Sequence, residues 1–359
     1  MKKLKNKSWK DRHAQKKGLD KAYRQSIYGY EITPIGKPRY SVIEYDQPVK
    51  RYYQSAKDKK RLAHRVEKGK RKELVAPSNF SLYQNPIETL EYLEQVSDTV
   101  IDTPVHIRME PINVLTIDTI MYFLAILKKL RLYGINFYCR GSLPDDQECR
   151  HLLQASGFLS YVNSSDKSAD LTHESDVVRI VSGHSAEGQT VKSVCDFVIS
   201  KLCYTRIETM KLYNMIMELM SNTKNHAYIN QSLTILADWY IFVYYLPQKN
   251  AVRFIFLDTG AGIPTTVRKR LYEPAKELVR NLNPHTDYIK SALDGDFLRS
   301  RTGEAYRGNG LPTINSFYKE GYIKDLTIIS NRGYFSEAKQ DDLDSGLDGT
   351  LFYWELSRE

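Results

Sequence analysis

The chain has 359 residues, 42% of them hydrophobic, with a formal net charge of +9; this length suggests two or three domains, and the apolar content is enough for real cores. No run of about 18 uninterrupted apolar residues occurs, which argues against a membrane-spanning helix, and the basic start MKKLKNKSWKDRHAQKKG has no apolar stretch behind it, which argues against a secretion signal. Cys139, Cys149, Cys195 and Cys203 show no CxxC spacing, which sets aside a zinc site or disulfide framework and points to buried free thiols in a reducing cytoplasm.

The first segment runs over residues 1–80 and carries the positive charge: residues 1–75 hold 23 Lys and Arg against 8 Asp and Glu. Short β-like pieces such as RYSVIEYD precede a basic helical run, AKDKKRLAHRVEKGKRKELV, and seven tyrosines are interleaved between Tyr23 and Tyr53. Such a segment can hold a nucleic-acid backbone and stack bases. A solvated face, or an arm docking on the acidic remainder of the same chain, explains it as well, and no base-reading motif accompanies it.

The second segment covers about 84–165. TPVHIRME reads as a strand, TIDTIMYFLAILKKLRLYG as an amphipathic helix ending at Gly134, and INFYCRG as a second strand. PDDQECRHLLQASGF opens with proline and acids, as helix starts do, and ends at a glycine. Strand, helix, strand, helix is the order of a small α/β unit. It resembles a STAS domain, in which the first of these helices opens with a serine that can be phosphorylated; the matching residues are Asp118 and Thr119. The second serine and the glycine of that turn are missing, so Thr119 reads as a residue that caps or enters the helix.

The third segment, 185–359, carries the chemistry. Helices are expected over 191–203 and 206–228. WYIFVYYL and AVRFIFLD read as strands joined by PQKN, a helix begins at LPTINSFYKEG, and DLTIISN and GTLFYWEL close a sheet. The acidic DDLDSGLDG, 341–349, reads as a solvated hairpin turn.

On the helix LYNMIMELMSNTKNHAY, Glu218, Asn222 and His226 recur every four residues and stack on one face. A carboxylate and an amide oxygen are hard ligands that suit magnesium, and a Glu so placed can also orient an attacking water. In FLDTGAGIP, Asp258 ends an apolar strand, where burying its carboxylate demands a donor such as a purine amine, and Gly260 and Gly262 allow a ligand close to the backbone. In RGNGLPTINSF, Gly308 and Gly310 lead into a helix N-terminus, a natural phosphate cradle. Gly349 and Thr350 open the last strand, where the Thr350 hydroxyl can steady Asp258 or a water.

Glu-x-x-x-Asn on a helix, Asp-x-Gly-x-Gly after a strand, Gly-x-Gly-Leu before a helix and Gly-Thr on a last strand, in that order, resemble the GHKL superfamily of ATP-binding domains, which includes gyrase, the ninety-kilodalton heat-shock chaperones and histidine kinases. The helix motif is most like that of the anti-sigma-factor kinases and of the gyrase and chaperone branches. The resemblance implies an α/β fold of α+β sandwich type, with a mixed sheet and helices on one face, binding ATP and Mg2+. It implies Glu218 as general base, Asn222 as magnesium ligand and Asp258, with Thr350, as reader of adenine. Gly260 and Gly262 would lie beneath the nucleotide, and Gly308, Gly310 and Leu311 around the phosphates. His226 would touch the nucleotide or pack structurally.

Residues 263–307 would form a lid, with Arg299, Arg301 and Arg307 near its end. The activity implied is slow ATP hydrolysis driving an association switch with a protein partner or a second copy, in a regulatory or phage-defence setting. Alternatives are a Ser/Thr protein kinase, or a nucleotide-gated binding module whose residues 1–75 hold nucleic acid.

Overall fold

The structure is a computed structural model that describes residues 60–61, 63–65, 68–132, 139–163, 176–227, 238–270, 284–295 and 310–358. The chain from 1 to 59, with its tyrosines and RYSVIEYD, lies outside the described residues. The architecture is mixed α/β.

The small unit begins inside the basic run. Lys72–Val75 forms strand β1, not the end of a helix, because it pairs in parallel with β3 (Val105–Arg108) and buries Leu74. Asn79–Phe80 (β2) pairs with Val114–Leu115 (β4), and Cys139–Gly141 (β5) adds to β3 in parallel. The first helix, α1 (Pro86–Thr99), has proline in its first turn and Asn85 before it, whose amide donates to Glu88 at 2.8 Å. Then come α2 (Ile117–Leu132), α3 (Gln147–Ala155) and α4 (Phe158–Asn163). Asp146 caps α3 by accepting from the Cys149 N–H at 2.8 Å. The order β1-β3-β5, joined by single helices, is the parallel arrangement the strand–helix alternation implies.

Thr119 is fully buried, and its hydroxyl accepts from the Leu82 N–H at 2.8 Å, while Asp118 accepts from the Tyr83 N–H at 3.0 Å. The start of α2 therefore holds the loop before α1 and offers no exposed hydroxyl.

The large unit is a five-stranded sheet in the order β6-β7-β8-β10-β9, from β6 (Val177–Gly183), β7 (Trp239–Leu246), β8 (Ala251–Asp258), β9 (Lys324–Phe335) and β10 (Gln340–Ser357). Every pair in it is antiparallel rather than mixed. Two helices, α5 (Gly188–Leu202) and α6 (Met210–Ala227), stand between β6 and β7, and the chain re-enters the sheet at the end it left, with Trp239 opposite Gly183. The other neighbours are hairpins or their antiparallel extension. Thr205 and Glu208 exchange hydrogen bonds of 2.6 and 3.2 Å ahead of α6, a capping box.

Side chains alternate along each central strand. Phe254, Phe256, Phe352 and Trp354 face one core, with α5, α6, α7 (Ile263–Arg270), α8 (His285–Asp294) and α9 (Gly310–Lys319). Ile255, Leu257, Leu351 and Tyr353 face the other, which they share with α1, α2 and the small sheet. The sheet is thus covered on both faces, and the two units form one body through a common core. Strands that must be apolar on both sides read as continuous hydrophobic runs, as WYIFVYYL and AVRFIFLD do. Tyr83 stacks on Tyr353 at 4.6 Å, and Lys129 of α2 pairs with Asp348 at 2.6 Å.

Two expectations are corrected. The stretch 341–349 is strand, not a turn: Leu343 and Leu347 are buried, and the hairpin turn lies at 336–339. The segment 263–307 is not a continuous loop, since α7 and α8 lie within it and Tyr288, Ile289 and Leu293 are core residues. Arg299, Arg301 and Arg307 lie outside the described residues. Cys139, Cys149 and Cys195 have thiols pushed up to about 11 by burial, whereas Cys203 is exposed and ends α5 in the left-handed region. Among the described residues no helix is long and apolar enough to cross a membrane.

Candidate nucleotide site

The site is built from two groups of residues on the helix-covered side and the upper end of the sheet. The first lies on α6. Leu212, Met215, Ile216, Leu219 and Met220 are at most 3% exposed and press the helix onto the sheet. Glu218 and Asn222 therefore sit at the margin of that buried stripe, both half-buried. Glu218 has no hydrogen-bond or ion-pair partner among the described residues, and burial pushes its pKa up. Its side chain lies against Gly310, the first residue of α9, where an added Cβ would come 2.7 Å from Oε1. Gly310 is needed there for close approach. Leu311 packs partly buried on the same core.

The second group surrounds Asp258 at the end of β8, which pairs with Trp239 on one side and Thr350 on the other. The Gly260 N–H donates to Asp258 Oδ1 at 2.8 Å. The carboxyl group is held at a pKa of about 6 by burial, against the opposing pull of the Gly260 and Thr350 hydrogen bonds. Thr350 is buried and bonds to Ser330 at 2.9 Å. Ser330 in turn accepts from the Ile263 N–H at 2.8 Å, fixing the start of α7. Gly349 has φ +111°, and a Cβ on it would collide with the Asp258 carbonyl oxygen; only glycine closes this approach. Gly262 meets Asn331, whose amide donates to the Ala261 carbonyl at 3.3 Å and whose Oδ1 accepts from Thr265 at 3.2 Å.

The structure thus brings Asp258, Gly260, Gly262, Gly349 and Thr350 together, and separately joins Glu218 to Gly310. Helix α8 packs against both α7 and α9 and so spans the two groups; Asn315 of α9 donates to the Leu293 carbonyl at 3.1 Å. Gly308 and the side chain of His226 lie outside the described residues. Ser330 and Asn331 were missed, although a Ser-Asn pair ending the apolar DLTII run is a signal of a polar strand end. Asp238 was missed too: its backbone exchanges hydrogen bonds of 2.9 and 3.0 Å with Thr259, and its buried carboxylate takes His184 at 2.5 Å and Lys128 at 3.6 Å.

Chemically, one end offers a buried acceptor that wants a donor, and the other offers an unpaired acid beside a helix N-terminus. Asn222, half-buried and without a hydrogen-bond partner among the described residues, leaves a hard oxygen available one turn from Glu218. A carboxylate and an amide oxygen are hard donors of the kind magnesium takes. No protein-family model matches the chain, and no curated protein matches it.

Proposed function

We propose that residues 185–359 are a GHKL-type domain that binds ATP with magnesium and hydrolyses it slowly, next to a STAS-like unit that shares its core. The observation that carries this reading is Glu218: a half-buried acid without a partner among the described residues, packed on the first residue of α9. A structural carboxylate in that position would be expected to find a donor.

In this reading the Asp258 carboxylate accepts from the exocyclic amine of the base, and Thr350 and Gly260 hold it in place. The free N–H groups at the start of α9 face phosphate oxygens, and the helix dipole favours their charge. Glu218 takes a proton from the attacking water; the rise in its pKa makes it a stronger base than a solvated carboxylate. Magnesium, held by Asn222, would neutralise charge on the phosphates. The antiparallel β8–β10 ladder and the Lys129–Asp348 pair link the base end to α2, so occupancy can change how the chain meets a protein partner or a second copy.

Calorimetric titration with ATP, with and without magnesium, tests this directly. Wild type should bind only with magnesium at useful affinity, and Asp258→Asn should bind far more weakly. Glu218→Ala should keep binding and lose phosphate release. A wild-type protein that takes up no heat with ATP sinks the proposal.

A further inference from the structure

The face of the small sheet turned away from α1 and α2 is open among the described residues. Leu74, Val105 and Ile107 point inward and are buried, so their neighbours Glu73, Val75, His106, Arg108 and Arg140 point outward by strand alternation and register. Glu73, His106 and Arg140 form one row across the three strands, and Val75 and Arg108 the next. Arg108 keeps a side-chain exposure of 44% and meets Glu73 and Glu110 only at 3.6 Å.

A basic strap enters beside this face. Residues 60–72 contain seven Lys and Arg and one acid, Glu67. Arg65 ties the strap down, donating to the Asp102 carbonyl at 2.9 Å and to Thr103 at 3.1 Å, and the Lys72 N–H donates to the Pro104 carbonyl at 2.8 Å. Lys60, Arg61, Lys68 and Lys70 are exposed, and none has an ion-pair partner among the described residues.

We propose that this open sheet face and the strap side chains Lys60, Arg61, Lys68 and Lys70 bind the phosphate backbone of a nucleic-acid duplex. The excess positive charge that complements a polyanion is carried by the strap, because Arg108 and Arg140 on the sheet are matched in number by Glu73 and Glu110. Among the described outward residues His106 is the one ring, and no Tyr, Phe or Trp there offers a broad platform for stacking single-stranded bases. Among the described residues Val75, 52% exposed, is the only apolar one on it, which is too little for the buried centre of a protein interface. Binding is therefore to the backbone and independent of sequence. The proposal stands apart from the nucleotide site and does not depend on it.

The test is fluorescence anisotropy of a labelled DNA duplex of about 30 base pairs with the full chain, between about 50 and 200 mM salt. Wild type should bind with a log–log salt dependence. Arg108→Ala with Arg140→Ala should weaken binding about tenfold or more and reduce the slope by about two. Lys68→Ala with Lys70→Ala, on the strap, should do the same, and Glu73→Gln should tighten binding. These side chains point to solvent, so the thermal midpoints should match wild type. If both double variants keep the wild-type slope, duplex binding resides elsewhere in the chain and the proposal fails. It fails equally if no duplex binds at low salt, or if polyglutamate is held as tightly and through the same residues, which would indicate an acidic protein partner.

Discussion

Glu218 and Gly310 touch across the α6–α9 junction: a Cβ on Gly310 would lie 2.7 Å from Glu218 Oε1 and 2.9 Å from its carboxyl carbon. Gly310→Ala should therefore displace the acid. Overpacking of this kind costs about 1–3 kcal/mol, and if Glu218 is the general base proposed above, displacing it should cost about 100-fold or more in rate. Urea unfolding and phosphate-release assays should show both losses. In Gly310→Ala with Glu218→Ala the space is restored, so stability should return towards that of Glu218→Ala alone while turnover stays lost. A Gly310→Ala protein with wild-type turnover would show that the contact has no bearing on chemistry.

Asp258 ties stability to pH. Burial holds its pKa at about 6, above the ordinary aspartate value of 3.8. The native state therefore binds more protons than the unfolded state between those values, and stability falls as pH rises through that window. The ionised form costs at most about 3 kcal/mol at neutral pH, less in practice because the residue retains some exposure. Asp258→Asn should flatten this part of the profile and unfold at higher urea than wild type at pH about 7. It should also lose ATP affinity. In wild type, ATP affinity should weaken below about pH 6, where the carboxyl becomes neutral. Parallel wild-type and Asp258→Asn stability profiles would contradict the assignment.

The central strands were legible because WYIFVYYL and AVRFIFLD are apolar at nearly every position, Arg253 and the terminal Asp258 apart, a pattern that suits a sheet buried on both faces. Their pattern could not say what covers the second face. That α1 and α2 do so rests on contacts such as Tyr83 on Tyr353, between residues far apart in the chain. Leu74 is a single buried residue among charges, so β1 carried no period of two and was absorbed into the basic run. In 341–349 the register shifts between Asp342 and Leu347, and again before Thr350. These irregularities break the alternation, and the acids conceal two buried leucines. Motif spacing singles out Glu218, Asn222, Asp258 and Thr350 as candidates. Ser330 and Asn331 act through hydrogen bonds to backbone groups some 70 residues away, which local pattern does not encode.

Asp342 belongs to that misread stretch and has a definite task. Its carboxylate accepts from the His285 and Thr286 N–H groups at 2.8 and 2.9 Å, and from the Thr286 hydroxyl at 2.9 Å. It thus satisfies the orphan donors at the start of α8 from a neighbouring strand. Asp342→Ala should cost about 1–2 kcal/mol, as the loss of an N-cap does. Asp341→Ala, one residue away and exposed, should cost less than about 0.5 kcal/mol. Because α8 packs on both α7 and α9, Asp342→Ala should also speed hydrogen exchange in α8 and weaken nucleotide binding. Equal stability of the two variants would remove the capping role.

Arg253 and Glu355 are opposite each other on β8 and β10, on the face covered by the small unit. The guanidinium donates through Nε to Glu355 Oε1 at 2.7 Å and through an Nη to the Tyr244 hydroxyl at 2.9 Å, and it lies 5.0 Å from the Tyr353 ring centre. Glu355 is 5% exposed, so its charge has little water to fall back on. Among the described residues, removing Arg253 leaves the desolvated Glu355 with only the exposed Lys249 ammonium at 3.5 Å, so the cost should approach that of breaking a buried pair, about 3–5 kcal/mol. Arg253→Met should therefore be strongly destabilising, and Glu355→Gln less so, since its amide oxygen still accepts from Nε. Arg253→Met with Glu355→Leu, which leaves no buried charge, should recover most of the loss. Urea unfolding of the three variants decides it. If the double variant is no more stable than Arg253→Met, the pair contributes by packing against Tyr244 and Tyr353 and not by cancelling charge.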